Sequence, residues 1–334
     1  MINRRVILAR RPSGLPTSQD LVLDEVTTPI LQDGQFLVRN HYASLDPAMR
    51  GWMDDAPSYL PPIALGSPLR SSTVGVVVES RNADFPVGQW VTGGNAIEEY
   101  SLCVANEFLR KIDERAAPKI TNYLSVLGIN GLTAYFGLGV AEPRAGETVL
   151  VSAAAGSVGS LVGQIAKIKG CRTVGIAGGP SKCARLINDY KYDAAIDYRG
   201  KSLAELHDAI AAACPQGVDV HFENVGGTIL DAALMSINAR ARIVICGLIS
   251  QYNSEPKPIS NLWPLIVHGA RIQGFIMTHY RDRAGEALPH LMEWLRSGQL
   301  RVDEHIDEGI ENALPALLRL FEGTNQGKMI LKLI

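Results

Sequence analysis

No block of like charge runs through the sequence: 32 Lys and Arg stand against 34 Asp and Glu, a formal net charge of −2, and no basic run stands out. A protein that binds nucleic acid by neutralising phosphates carries a basic stripe or patch, so that class of partner is excluded. Long apolar runs are missing too. Residues 120–141 and 148–166 are uncharged and of about membrane length, yet both are broken by repeated Gly and by Ser, Thr, Asn or Gln. Neither reads as a lipid-facing helix, and no membrane partner is expected. The opening residues, Met1-Ile2-Asn3-Arg4-Arg5-Val6-Ile7-Leu8-Ala9-Arg10, hold an apolar run too short for a signal peptide. Cysteine is scarce: Cys103, Cys171, Cys183, Cys214 and Cys246 are odd in number, widely spaced and without a Cys-x-x-Cys pair. That argues against a disulfide framework and a cysteine-based zinc lobe, and for a reducing, cytoplasmic setting.

Apolar mass and chain-breaking residues are present in ordinary proportion. Of 334 residues 46% are hydrophobic and 20% charged, with 32 Gly and 18 Pro. This is too apolar for a self-repelling coil, and at roughly 100–200 residues per domain the chain accounts for about two domains. The N-terminal third reads as short β segments at 6–9, 21–26, 35–42, 73–79, 90–92 and 99–104, separated by Pro, Gly and Asp signals. Such spacing suits a β-rich domain of barrel or sandwich type. Further on, apolar strands at 148–152, 173–177, 194–197, 218–223 and 242–246 alternate with helical segments. That alternation means βαβ units and a parallel sheet covered on both faces. Leu288, Leu291, Met292 and Leu295 form one helical stripe, and Leu314, Leu317, Leu318 and Phe321 another. Residues 329–333 return to an alternating strand.

The most informative stretch is Thr148-Val149-Leu150-Val151-Ser152-Ala153-Ala154-Ala155-Gly156-Ser157-Val158-Gly159. A strand runs into a small-residue turn and a helix follows, with the spacing Ala153-x-x-Gly156-x-x-Gly159, a variant of Gly-x-Gly-x-x-Gly. Small residues let the backbone turn tightly and approach a pyrophosphate, and the helix N-terminus offers free N–H groups to the anion. A turn between any strand and helix would look similar, but a second strand at 172–177 completes a unit of dinucleotide-binding length. An NAD site places an acidic residue at the end of that second strand. Here it reads Gly175-Ile176-Ala177-Gly178-Gly179-Pro180-Ser181-Lys182, with no Asp or Glu. The missing carboxylate and the nearby Lys182 suit a 2′-phosphate, so NADPH is expected over NADH. Arg185 reads as a solvated charge.

Several segments, in this order, carry a resemblance that covers essentially the whole chain. They are Ser44-Leu45-Asp46-Pro47-Ala48-Met49-Arg50-Gly51, Gly131-Leu132-Thr133-Ala134-Tyr135-Phe136-Gly137, and Ala153 to Gly159 extended through Gly163-Gln164-Ile165-Ala166-Lys167. Then come Phe222-Glu223-Asn224-Val225-Gly226-Gly227, Cys246-Gly247-Leu248-Ile249-Ser250-Gln251-Tyr252-Asn253 and Gly323-Thr324-Asn325-Gln326-Gly327-Lys328. Together they resemble the zinc-independent branch of the medium-chain dehydrogenase/reductase superfamily that holds leukotriene hydroxydehydrogenase/prostaglandin reductase, plant double-bond reductases and bacterial curcumin reductases. The resemblance implies an α/β architecture, a Rossmann doubly wound parallel sheet at 123–299 with a GroES-like β-rich substrate domain at 1–122 completed by 300–334. It implies NADPH-dependent reduction of the C=C bond of α,β-unsaturated ketones or aldehydes, and so a small apolar carbonyl substrate. It also implies a homodimer joined through the edge of the Rossmann sheet, for which residues 271–277 are the candidate strand.

By matching position, Lys182 and Tyr198 contact the 2′-phosphate, while Asn224, Gly247, Tyr252, Phe275, Ile276, Met277 and Asn325 line the rest of the cofactor. The candidate cofactor set takes in Asn130 and Thr133, the loop residues Ala155, Gly156, Ser157, Val158 and Gly159, and Gly178, Gly179, Val225, Cys246, Ile249 and Gly327. Asn130 departs from the family pattern, where Pro usually precedes Gly-Leu-Thr-Ala-Tyr.

Zinc-dependent relatives hold a catalytic zinc through Cys, His and a third Cys or acid. Residues 43–46 contain no Cys, and Gly66-Ser67-Pro68-Leu69-Arg70-Ser71-Ser72 no His. His41, His207, His221, His268, His279, His290 and His305 are scattered, with no His-Glu-x-x-His pattern. No metal is expected, which disfavours alcohol oxidation, where zinc would stabilise an alkoxide. Enone reduction asks for less: a hydride at the β-carbon, a hydrogen bond for the charge growing on the carbonyl oxygen, and a proton at the α-carbon. Tyr252 is the candidate donor, since a phenol of pKa about 10 is protonated at neutral pH; alternatively it only walls the cofactor pocket. Met49, Tyr59, Met277 and Tyr280, with Tyr252, are candidates to line the apolar substrate cleft, with ordinary packing as the alternative for each. Two further functions stay open: an NADPH quinone reductase, because zinc-free relatives also reduce quinones, and a non-catalytic NADPH-binding protein.

Overall fold

A computed structural model describes residues 1–106 and 108–334. The chain forms two compact units, one made of Met1–Ser125 with Glu304–Ile334 and the other of Val126–Asp303. In chain order the first holds strands β1 (Ile2–Leu8), β2 (Leu21–Thr27) and β3 (Gln35–Ser44), the short helix α1 (Met49–Trp52), then β4 (Arg70–Ser80), β5 (Trp90–Ala96), β6 (Tyr100–Val104) and β7 (Leu109–Lys111). The second begins with α2 (Ile129–Val140), β8 (Thr148–Val151), α3 (Ser157–Ile168), β9 (Arg172–Ala177), α4 (Pro180–Asn188), β10 (Ala194–Asp197) and α5 (Leu203–Ala213). It continues through β11 (Val218–Glu223), α6 (Gly227–Leu234), β12 (Ile237–Ile245), α7 (Trp263–His268), β13 (Arg271–Gly274) and α8 (Ala284–Arg296). The chain ends in the first unit with β14 (Glu304–Glu308), α9 (Ala313–Glu322) and β15 (Lys328–Lys332).

In the first unit β3 is the hub. It pairs antiparallel with β4, β6 and β15, and β15 pairs in parallel with β14. Seven-stranded pairing closes over two apolar clusters. One gathers Leu8, Leu45, Met53, Leu69, Leu317 and Leu331; the other gathers Phe36, Val38, Phe85, Val91 and Cys103, with Phe36 and Phe85 stacked at 4.4 Å. The segments around residues 46 and 328 meet here: Lys328, fully buried, donates to Leu45 O and to Asp46 Oδ1 at 2.7 Å each. β14 is absent from the expectation because Glu304-His305-Ile306-Asp307-Glu308 is mostly polar, and it is a strand only by pairing with β15.

In the second unit all neighbouring strands run parallel in the order β10-β9-β8-β11-β12-β13. Counted within the unit this is 3-2-1-4-5-6, the doubly wound order whose direction of winding reverses between β8 and β11. β8 is buried at all four positions because helices cover both faces. α3 lays Leu161, Val162, Ile165 and Ala166 against the sheet, each at most 1% exposed, and each large side chain so buried contributes roughly 1.5–3 kcal/mol. α5 starts at a capping box in which Ser202 and Glu205 satisfy each other's backbone N–H. The expected strand 271–277 ends at Gly274, and Met277–Arg283 form a 3-10 helix instead. β12 starts earlier than expected, at Ile237, and Arg240 takes a left-handed φ of 61° where its pairing with β11 shifts register.

Candidate active site

The cradle at the head of α3 follows from small side chains. Ala153 sits at φ 47°, a left-handed conformation that an L residue tolerates at a cost of order 1 kcal/mol, and its carbonyl accepts from Gly156 N–H at 2.9 Å. A Cβ on Gly159 would stand 2.4 Å from that same carbonyl, and one on Gly163 1.9 Å from the ring of Tyr192. Tyr192 in turn donates to Gly159 O at 2.7 Å, which pins α3 to the sheet. Only glycine fits at both positions. Ser157 and Val158 are half-buried and Ala155 is buried, so the first turn of α3 presents unsatisfied N–H groups over a lining without bulky side chains.

A second feature forms where β9 and β10 end. Gly179 caps α4 at φ 94°, and Asp197 Oδ1 accepts from Gly179 N–H at 2.8 Å and from Arg199 N–H at 3.0 Å. These backbone bonds, Gly179's first, hold the Asp197 carboxyl below its ordinary range. Tyr198 and Arg199 fold over the Gly178-Gly179 turn: a Cβ at Gly178 would meet Arg199 Nε at 3.1 Å and Tyr198 Oη at 3.2 Å. Lys182 lies alongside. Burial first, then repulsion from Arg199 and Arg185, lowers its pKa. Lysine, arginine and phenol groups gathered at one turn are the donors that a dianion site needs. Arg199 is the residue that sequence reasoning missed; its signal is its place directly after Tyr198, two positions beyond β10. Arg185 is not a solvated charge as expected, for its guanidinium pairs with Asp303 and, at 3.6 Å, with Asp189.

A third group surrounds the switch point between β8 and β11. Asn224 follows β11, and its N–H and Nδ2 donate to Ser152 Oγ and Ser152 O at 2.7 and 2.8 Å. Val225 O accepts from Ser250 Oγ at 2.6 Å. The one-turn 3-10 helix Ile249–Gln251 ends at Tyr252, whose hydroxyl accepts from Leu248 N–H at 3.2 Å. A Cβ on Gly247 would lie 3.1 Å from that hydroxyl, so the phenol rests directly over the glycine. Burial outweighs the opposing Leu248 bond and, with a smaller contribution from Cys246, raises the Tyr252 pKa above its usual value. It stays protonated, and accepting from Leu248 leaves its proton to give. Burial and the Glu223 carboxylate push the Cys246 thiol up to about 12, so Cys246 is neither nucleophile nor acid at neutral pH.

Phe275 continues from β13, its N–H bonded to Ile245 O at 2.9 Å. Phe275 and Met277 are buried and Ile276 half-buried, while Tyr280 packs on Phe136 and Phe275 with ring centres 5.4 and 5.2 Å apart. Asn130 and Thr133 lie on α2, which packs close because a Cβ on Gly131 would meet Val126 O at 1.8 Å. The loop residues 155–159, Gly178, Gly179, Lys182, Tyr198, Asn224, Val225, Cys246, Gly247, Ile249 and Tyr252 therefore all stand at the C-terminal ends of parallel strands, where doubly wound sheets bind ligands. Four candidates belong to the other unit. Asn325 is buried and donates to Gly327 O at 3.0 Å; Tyr59 is exposed and accepts from Trp52 Nε1 at 3.0 Å. Met49 corrects the expectation of a substrate-lining residue, because it is 1% exposed inside the first unit's core and offers a ligand no surface.

Among the described residues no three His, Cys, Asp or Glu side chains gather as metal ligands, and no helix is long and apolar enough to cross a membrane. The small-residue cradle and the Lys182–Tyr198–Arg199 donors, joined along one sheet end, fit the pyrophosphate and 2′-phosphate of NADPH.

The family model for the N-terminal domain of oxidoreductase matches residues 4–112, and the model described as zinc-binding dehydrogenase matches residues 157–295. The chain is 40% identical to the NADPH-dependent curcumin reductase of Escherichia coli, over 99% of this chain and 96% of that protein. It is 38% identical to the NADP(+)-dependent 2-alkenal reductase of Nicotiana tabacum, over 98% of this chain and 96% of that one. The crystal structure of CurA from Vibrio vulnificus in complex with NADPH superposes with a TM-score of 0.93 at 38% identity, covering 99% of both chains.

Proposed function

The chain belongs to the medium-chain dehydrogenase/reductase family, in its zinc-independent branch of curcumin, alkenal and prostaglandin reductases, and from that premise we propose that it uses NADPH to reduce the C=C bond of α,β-unsaturated ketones and aldehydes. The observation that carries this reading is the joining, at one end of a parallel sheet, of a phosphate cradle, a cationic 2′-phosphate site and a protonated, half-buried phenol.

Lys182, Tyr198 and Arg199 hold the 2′-phosphate, and the N–H groups after Gly156 hold the pyrophosphate. Bound NADPH supplies the hydride that the β-carbon takes up. Tyr252 has its hydroxyl oriented by Leu248 N–H and its proton available, and it gives a hydrogen bond to the substrate oxygen as negative charge grows there. Because burial keeps this phenol neutral, the donor is present throughout the neutral range. Met277 and Tyr280 supply apolar surface to the substrate. The unit of 1–125 with 304–334 serves as the GroES-like substrate domain. Five free thiols suit a reducing cytoplasmic setting, and a homodimer forms through β13.

The test supplies NADPH and, separately, NADH with a small enone, an enal and a quinone, follows cofactor absorbance, and identifies products by mass and NMR. A saturated ketone, made with NADPH in clear preference to NADH, is the expected result. An allylic alcohol would mean carbonyl reduction and overturn the Tyr252 mechanism; turnover of the quinone alone would move the assignment to quinone reduction.

A further inference from the structure

Glu223, the last residue of β11, is a fully buried carboxylate that the proposed chemistry does not use. Its partner is His221, equally buried two residues earlier. Leu150 O has only lone pairs to offer, so His221 Nδ1, 3.1 Å away, carries a hydrogen. Nε2 lies 2.6 Å from Glu223 Oε2, and one proton lies between them. The other carboxylate oxygen, Oε1, accepts from Ser152 Oγ at 2.6 Å, from Gly226 N–H at 3.0 Å and from Val225 N–H. An apolar pair would fill this volume without the cost of taking charges out of water. It could not hold three donors from two separate chain segments in register.

Two paths lead outward from the carboxylate. Ser152, its hydroxyl proton given to Glu223, accepts Asn224 N–H, and its carbonyl takes Asn224 Nδ2, which sets the direction of the Asn224 side chain. The backbone that Oε1 fixes is also the bed of the Tyr252 turn. Asn224 O and Val225 O accept from Ile249 and Ser250 N–H at 3.1 Å each, and Glu223 O accepts from Cys246 and Gly247 N–H at 2.9 and 3.2 Å.

We infer that the buried His221–Glu223 pair is the positioning unit of this site, fixing Asn224 through Ser152 and the Tyr252 phenol through the backbone of residues 224–226. Glu223 is a positioning residue; it touches neither substrate nor cofactor. The inference rests on the NADPH reading above.

The test measures NADPH Kd by fluorescence titration, together with kcat, KM and Tm, on the full chain. Ser152→Ala removes the hydroxyl that links Glu223 Oε1 to Asn224 N–H, keeps the backbone carbonyl that takes Asn224 Nδ2, and leaves the His221–Glu223 pair in place. Glu223→Leu removes both paths. Glu223→Gln keeps an oxygen for the three donors and can donate its amide hydrogen to a neutral His221 whose Nδ1 still serves Leu150. Ser152→Ala is expected to raise NADPH Kd about tenfold, and Glu223→Leu to raise Kd and lower kcat by about tenfold or more, as for losing one or two buried hydrogen bonds. Glu223→Gln is expected to recover both quantities to within about threefold of wild type. If Glu223→Leu does not fold, Ser152→Ala and Glu223→Gln decide the matter. An unchanged Kd in Ser152→Ala, or Glu223→Gln as impaired as Ser152→Ala in binding and more so in turnover, overturns the inference. A wild-type chain that does not bind NADPH overturns the cofactor reading instead, a result distinct from variants that bind as wild type does.

Discussion

Burial acts on Tyr252 and Lys182 in opposite chemical directions, because in each case it disfavours the charged form. For Tyr252 that secures the proton the reaction needs. Replacing it by Phe keeps the ring over Gly247 and deletes only the hydroxyl, so Tyr252→Phe is expected to lower kcat about tenfold or more, the scale of one lost donor at a developing oxyanion, with NADPH Kd nearly unchanged. Unaltered turnover would assign Tyr252 to the pocket wall. For Lys182 burial works against function at alkaline pH. Its pKa is lowered, so the free enzyme loses this cation at a lower pH than an ordinary lysine does, and kcat/KM for NADPH falls on the alkaline side while kcat/KM for NADH does not. Arg199 is the second of the groups that lower it, after burial itself. Arg199→Ala is therefore expected to weaken NADPH use at neutral pH and also to move the alkaline fall to higher pH. Paired pH profiles with the two cofactors check this, and an unmoved limb would mean that Arg199 does not face Lys182.

Elements explain which of these residues were legible beforehand. The head of α3 could be read because a steric demand is written in residue type: Gly159 cannot take a Cβ 2.4 Å from the Ala153 carbonyl, and the sequence holds Gly there. Gly159→Ala meets backbone that cannot step aside, and it is expected to lower Tm by a few degrees and to weaken NADPH binding more than tenfold, since forced overpacking costs about 1–3 kcal/mol. Thermal melts with and without NADPH check this, and an unshifted Tm would mean that the turn relaxes freely. Arg199 was not legible in the same way. Nothing in Asp197-Tyr198-Arg199 says that the chain doubles over Gly178-Gly179, because this depends on Asp197, at the end of β10, reaching Gly179 N–H just beyond the neighbouring strand β9. The Glu223 network was opaque for the same reason. His221 and Glu223 sit in alternate positions of an apolar strand, and only the pairing of β11 with β8 brings Leu150 O and Ser152 to them. Met49 erred the other way: it stands in a matched segment, yet the short helix α1 turns it into the core. Local sterics are visible in sequence, and long-range hydrogen bonds are not.

At the scale of the whole molecule the remaining question is what covers the outer edge of the parallel sheet. β13 is the last strand in the order, and among the described residues nothing pairs with its far side. An unprotected edge invites pairing with another chain, and soluble proteins usually blunt it with charge, proline or a covering element. Here the neighbouring element does the reverse. α7 turns Leu265 inward against Ile243 and Ile245 but leaves Trp263 70% and Ile266 72% exposed, with Leu262 and Val267 also outward. A net charge of −2 supplies little repulsion to keep such faces apart. The proposed homodimer would satisfy both features, with the β13 of a second copy continuing the sheet and its α7 burying the apolar face under the same two-fold axis. The edge strand could be read from sequence, whereas α7, six residues long and opening Trp263-Pro264, carries too little periodicity to be placed. Light scattering at micromolar concentration is expected to give the mass of a dimer. Ile266→Asp, which puts a charge at the centre of the apolar face and alters no residue of the cofactor site, is expected to give a monomer that still binds NADPH. A monomeric wild-type chain would overturn the dimer, and a dimeric Ile266→Asp would move the contact away from α7.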